Sequence, residues 1–164
     1  MMKNMKNLVM FYSLEGNTKF IAQYIAEKIN ADILELKPKK AYHNSGFKKY
    51  FWGGKSVVFK EQPELLPYDI DINNYENIFI GTPIWVGTYA PPYNTFFSTE
   101  KINNKNIYLF ACHGGGSPEK FYKNTKEIIP NNSFKGQIDF CEPLKNNKEE
   151  VEDKIDSWLK NILI

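Results

Sequence analysis

The apolar positions of this chain fall into short unbroken runs, and between them lie stretches where apolar residues recur every three or four positions. Leu8 to Tyr12 is one such run, the pattern of a parallel strand buried on both faces. From Asn17 the residues Phe20, Ile21, Tyr24, Ile25 and Ile29 repeat at helical spacing, which predicts a first helix ending near Asn30. Ile33 to Leu36 alternates and stops at Pro38, a short second strand. "NIFIGTP" (Asn77 to Pro83) and "NIYLFACHGGG" (Asn106 to Gly116) predict two more strands ending in turn residues, each followed by a helix. The first of these helices starts at Pro91 or Pro92, and the second takes Ser117 as its N-cap with Pro118 next. "QIDFCEP" predicts a fifth strand, and Val151, Ile155, Trp158, Leu159 and Ile162 share one face of a closing helix.

Strands alternating with helices predict an α/β fold, a three-layer sandwich on a parallel sheet. Right-handed crossovers then gather the loops at the strands' carboxyl ends on one rim, where function is expected. A chain of 164 residues, 42% hydrophobic and 15% aromatic, can fill the core of one domain spanning 1–164. Its 21 basic and 19 acidic residues leave a formal charge of +2, which argues against a nucleic-acid binder or an acidic tail. Two distant cysteines, Cys112 and Cys141, are too few for a secreted disulfide scaffold, so a cytoplasmic location is expected. The opening "MMKNMKNLVMFYS" holds an apolar run too short for a signal peptide or a membrane span. Two histidines and dispersed cysteines give no support to a structural metal site.

Residues 39–75 form a connection longer than usual, rich in Lys and aromatics as in "FKKYFWGGKSVVFK". Two readings stay open, a helix and loop covering the sheet edge, or a lid over the rim.

The sharpest chemical signal is "FYSLEGNTKF", where the first strand breaks into small polar residues before the first helix. A helix N-terminus presents unpaired N–H groups and the positive end of the dipole, so such a loop is an anion site. Gly16 lets the backbone come close, while Ser13 Oγ, Asn17 Nδ2 and Thr18 Oγ1 can donate to phosphate oxygens. The stretch lacks the pattern of a nucleotide P-loop and the three glycines of a dinucleotide fingerprint. A phospho-receiver domain would need acids where Tyr12, Ser13 and Thr82 stand. A plain capped turn is the alternative.

Two further rim loops narrow the choice. "TPIWVGTYAPP" offers the flat faces of Trp85 and Tyr89, and "ACHGGGSP" offers bare backbone able to approach a ring edge. Phosphate at one loop and a flat ring between two others describes FMN.

With these motifs the chain resembles the flavodoxin family over almost its whole length. S-L-E-G-N-T is similar to the family's phosphate loop, T-P-I-W-V-G to its aromatic-bearing flavin loop, and C-H-G-G-G to its third loop. The resemblance implies a five-stranded parallel sheet of order 2-1-3-4-5 in the short-chain layout. It implies that Ser13, Glu15, Gly16, Asn17 and Thr18 hold the phosphate, Glu15 through its backbone N–H. Pro83, Ile84, Trp85, Val86 and Gly87 would line the isoalloxazine, and Cys112, His113, Gly114, Gly115 and Gly116 its other edge. The "WGGK" to "PEL" stretch (Trp52 to Leu65) also resembles a bacterial subset of flavodoxin-like proteins. Glu15 departs from the Thr common at its position, so its carboxylate should point away from the phosphate. Carriers of the family are typically acidic, whereas this chain has no acid between Gly81 and Ser98. A less negative potential for the anionic reduced flavin is therefore expected.

The expected function is an FMN-bearing electron carrier whose partners, a reductase and an acceptor, dock at the flavin rim. The alternative is an FMN-dependent oxidoreductase that takes hydride from NAD(P)H and reduces quinones or similar small acceptors. A cofactor-free scaffold is the non-redox reading. Cys112 beside His113 tempts as a catalytic pair, but neighbours along a strand point oppositely, so no catalytic residue is assigned. His113 is instead read as a donor near the flavin or an ordinary loop residue. Trp85 is the expected stacking partner, with Tyr89 and Trp52 as rivals.

Overall fold

A computed structural model of the protein describes residues 5–42, 54–55 and 60–163. Five parallel strands form one sheet in the order β2-β1-β3-β4-β5, where β1 is Asn7–Phe11, β2 Asp32–Glu35, β3 Asn77–Pro83, β4 Asn106–His113 and β5 Ser133–Cys141. Helices α1 (Asn17–Ile29), α2 (Pro92–Thr99), α3 (Glu119–Ile128) and α4 (Lys148–Ile162) follow β1, β3, β4 and β5 in the chain. The expected α/β sandwich and strand order are both present.

The pleat divides the core in two. Leu8, Met10, Ile78, Ile80, Ile107 and Leu109 turn to a layer that includes Tyr93 and Phe96 of α2 and Phe121 of α3. Val9, Phe11, Phe79, Tyr108 and Phe110 turn to the opposite layer, with Ile21 and Ile25 of α1 and Ile155 of α4. Register is pinned at the amino ends, where Asn7, Asn77 and Asn106 stand side by side on β1, β3 and β4. Asn106 Nδ2 donates to Asn77 Oδ1 (2.9 Å), Asn77 Nδ2 to Asn7 Oδ1 (2.8 Å), and Asn7 Nδ2 to the Ile29 carbonyl closing α1 (3.1 Å). Side-chain amides thus carry a polar ladder across three strands.

Several boundaries differ from the sequence pattern for local reasons. Strand β5 starts at Ser133, before the expected Gln137, because its early residues alternate in burial and a register shift at Ile107/Tyr108 absorbs Lys135. Strand β2 lies at 32–35, one residue ahead of expectation, with Asp32 exposed at its start. Helix α3 begins at Glu119, capped by Pro118 in helical conformation, while the Ser117 hydroxyl still accepts from the Glu119 N–H (3.3 Å). Helix α2 begins at Pro92, as the proline rule requires. Asn147 caps α4 by accepting from the Glu150 N–H (3.1 Å).

The described parts of 39–75 run beside β2 and α2. Pro38 bridges Leu65 in antiparallel fashion, Asn94 Nδ2 donates to the Glu61 carbonyl (3.0 Å), and Thr95 Oγ1 to that of Pro63 (2.6 Å). Residues 64–66 thus pair with the chain just after β2, and 61–63 with α2. Trp52, and residues 53 and 56–59 of the motif it opens, lie outside the described residues.

Gly81 permits the central packing. It stands in register between Phe11 and Phe110, and a Cβ there would lie 2.0 Å from the Phe110 ring. Gly81→Ala is therefore expected to cost about 1–3 kcal/mol through overpacking, read as a lowered urea midpoint with an unchanged slope.

Candidate functional site

Because β1, β3 and β4 run parallel and in register, their carboxyl ends deliver three loops to one rim, and β5 adds a fourth. Between them lies a cleft of about 240 Å3 lined by the first loop (Ser13, Leu14, Glu15, Asn17, Thr18), the second (Pro83 to Val86), the third (Cys112 to Gly114), Gly54 and Glu142.

The first loop turns on Gly16, whose φ of 97° favours glycine. Ser13 Oγ accepts from the Gly16 N–H (3.1 Å), which shapes the turn and leaves its own hydrogen to donate. Among the described residues no side chain caps the start of α1. Asn17 Oδ1 accepts from the Leu144 N–H (3.0 Å), so its amide is anchored to the segment after β5 and Nδ2 is its donor group. Thr18 Oγ1 is buried and has no hydrogen-bond partner of good geometry among the described residues, a cost that an anion at the helix start would remove. Uncapped amides, donor side chains and an orphaned hydroxyl fit a phosphate. Glu15 is exposed on the lip of the cleft.

The second loop is a tight turn in which Trp85 and Thr88 exchange backbone hydrogen bonds (3.0 and 3.1 Å). Its central residues, Val86 and Gly87, have φ of 51° and 81°, the sign pair of a type I′ turn. Valine there is strained, and its side chain is 55% exposed. Thr82 secures the base by accepting from the Ala90 N–H (3.0 Å) and donating to the Pro83 carbonyl (2.9 Å). The Trp85 ring is held edge-on by Tyr12 (5.7 Å) and Tyr42 (5.3 Å) while it lines the cleft. Its rival Tyr89 packs among Tyr93, Phe97 and Phe121, so it belongs to the layer of α2 and α3.

In the third loop Cys112 is buried, and burial pushes its thiol up to about 12, with Asp139 raising it further and Thr18 and Lys154 acting the other way. A thiol so placed is a poor nucleophile at neutral pH. His113 turns aside to Asp139, with Nε2 to Oδ2 at 2.7 Å, and its Nδ1 accepts from the Gly115 N–H (3.1 Å). Both ring nitrogens are engaged, so a donor role toward a ligand would require breaking one of these bonds. A Cβ at Gly114, Gly115 or Gly116 would meet open space, and Gly115 needs its φ of 113°.

Eleven expected site residues line the cleft, namely Ser13, Glu15, Asn17, Thr18, Pro83, Ile84, Trp85, Val86, Cys112, His113 and Gly114. Gly16, Gly87, Gly115 and Gly116 stand outside its lining and shape the loop backbones. Leu14, Gly54 and Glu142 were missed. The place of Glu142 follows from topology, since a residue after β5 must reach the same rim. Its carboxylate pairs with Lys145 (2.7 Å), so the cleft carries acids that the second loop's sequence does not reveal. Among the described residues no His, Cys, Asp and Glu grouping suits a metal ion, and no helix is long and apolar enough to cross a membrane.

A sequence model of the family described as Flavodoxin matches residues 6–162. The chain is 30% identical over 156 residues to the flavodoxin-like domain-containing protein BilS of Clostridioides difficile, covering 90% of this chain and 74% of that one. It aligns with a flavoprotein solved in complex with FMN from Lactobacillus acidophilus at a TM-score of 0.73 and 23% identity, covering 94% and 98% of the two chains. Oxidised flavodoxin 1 from Bacillus cereus aligns at 0.55 and 13% identity, over 96% of this chain and 97% of that one.

The two cysteines should differ in reactivity, because Cys141 is exposed while Cys112 is buried and its thiolate disfavoured. Iodoacetamide at pH 8 is expected to alkylate Cys141 alone in the folded protein, and both after unfolding, as read by peptide mass mapping.

Proposed function

Because the chain belongs to the flavodoxin family, we propose that it binds FMN in the rim cleft and carries electrons between two redox proteins. The observation that carries this reading is the meeting in one cleft of Trp85, bare Gly114 and a buried Thr18 hydroxyl that has no partner of good geometry among the described residues, at a helix start that no described side chain caps. Bound there, FMN supplies the redox chemistry, and the protein supplies binding, orientation and electrostatics.

Ser13, Asn17 and Thr18 donate to the phosphate by side chain and Glu15 by its backbone N–H at the positive end of α1, while Gly16, its N–H held by Ser13 Oγ, lets the backbone come close. Pro83, Ile84, Trp85, Val86 and Gly87 bound the ring on one side, and the segment Cys112 to Gly116 on the other. Trp85 keeps its orientation because two tyrosine edges brace it. The two residues that tempt as catalysts are occupied, Cys112 by burial and His113 by its two hydrogen bonds, which supports a carrier over an enzyme. Val86 and Leu144, 55% and 53% exposed, give the rim apolar points on which a redox partner can dock transiently.

The deciding experiment adds FMN to the purified protein, records the absorption spectrum, and then adds NADPH anaerobically with and without a reductase. Flavin that binds and stays oxidised until the reductase is supplied supports the carrier. Direct bleaching by NADPH makes the protein an FMN-dependent oxidoreductase.

Two substitutions separate the halves of the site. Thr18→Val is expected to weaken FMN by about 1 kcal/mol or more and to leave riboflavin, which lacks the phosphate, nearly untouched. Trp85→Ala is expected to weaken both ligands by on the order of 1 kcal/mol, since it removes ring contact. Fluorescence titration measures all four affinities.

A further inference from the structure

The His113 ring has a geometry that only one of its protonation states satisfies. Asp139 is on β5, directly beside Ala111 in the ladder, and its Oδ2 lies 2.7 Å from Nε2. A carboxylate can only accept, so Nε2 carries the hydrogen. The Gly115 amide can only donate, so Nδ1, 3.1 Å away, is the bare acceptor. The neutral Nε2–H tautomer meets both demands. The imidazolium keeps the bond to Asp139 but places a second N–H against the N–H of Gly115, so proton uptake breaks one bond and spares the other. The broken bond holds a glycine at φ 113°, in a run of three glycines where an added Cβ would meet no described atom within 4 Å.

We propose that His113 is the positioning residue of the third loop: neutral, it holds Gly115 and so sets the backbone that bounds the ring; protonated, it releases that backbone. Resting on the FMN reading, this makes the grip on the isoalloxazine weaken as pH falls, independently of the phosphate.

The charged groups around the ring leave this sign in place. On β5, Asp139 accepts from Nε2, and Lys154 of α4 donates to the Asp139 carbonyl (2.5 Å). After β5, the Glu142 N–H donates to the His113 carbonyl (2.9 Å), and its carboxylate is paired with Lys145. The first loop contributes Glu15 across the cleft, and α3 contributes Glu119 and the buried Tyr122 hydroxyl, which feels Asp139. On β4 the neighbouring Cys112 thiol stays neutral. Only 11% of the His113 side chain is exposed.

The test titrates riboflavin and FMN into the protein by fluorescence from about pH 8 to about pH 5, the window in which imidazoles exchange protons. Riboflavin frees the readout from the titration of the FMN phosphate. The expected result is a roughly three- to tenfold loss of riboflavin affinity toward low pH, the worth of one hydrogen bond. In His113→Asn, whose Oδ1 stands near the Nδ1 position but does not titrate, that slope is expected to vanish. In parallel, 15N NMR of the flavin-free protein should show the Nε2–H tautomer at high pH and a Gly115 amide shift that follows His113 protonation. A riboflavin affinity flat with pH, a slope retained in His113→Asn, or a Gly115 amide indifferent to His113 would each overturn the proposal. Failure of both flavins to bind at any pH would instead overturn the FMN reading, and the Gly115 amide would then judge the loop device alone.

Discussion

Parallel strands slipped by one residue would turn every core side chain to the wrong face, so the register of β1, β3 and β4 comes before every other feature of the rim. The asparagines at 7, 77 and 106 hold that register from the amino ends, and the closely packed Phe11, Gly81 and Phe110 hold it near the middle. Three loops therefore leave the sheet at matched heights. Without that alignment Ser13, Pro83 and Cys112 would not face one cleft.

From this platform each loop does a different job by a different means. The first turns on a glycine and exposes helix amides, and it is tied to the far strand by the bond from Leu144 to Asn17. The second keeps a β-branched residue at positive φ, held by the backbone bonds of a tight turn and by Thr82 beneath it. The third is nearly bare backbone and takes its shape from a histidine fixed by β5. Strained or featureless backbone of this kind lasts only where neighbours over-determine it, and here adjacent strands provide that support.

Burial also decides what the reactive side chains cannot do. Cys112 sits in the layer beneath α1 and α4, where a thiolate would be poorly solvated, and His113 is held between two partners. A site with anion donors and a braced aromatic, but with its thiol and imidazole both committed, is suited to holding a cofactor that does its own chemistry.

The alternating pattern of apolar runs and helical repeats was enough to determine the layered α/β class, the strands of the centre and the break into small polar residues before α1, because buried parallel strands and helix starts impose strong local demands on residue type. The amphipathic start of β5 was not legible, since a half-exposed edge strand asks little of its polar positions. Pairing is another matter. That Glu142 lines the cleft, that Asn17 is anchored to Leu144, that Tyr89 packs inward while Trp85 faces the site, and that His113 finds Asp139 all depend on residues far apart in sequence. Only the folded sheet brings those partners within hydrogen-bonding and packing distance, and interactions of such short range leave no periodic trace in the chain.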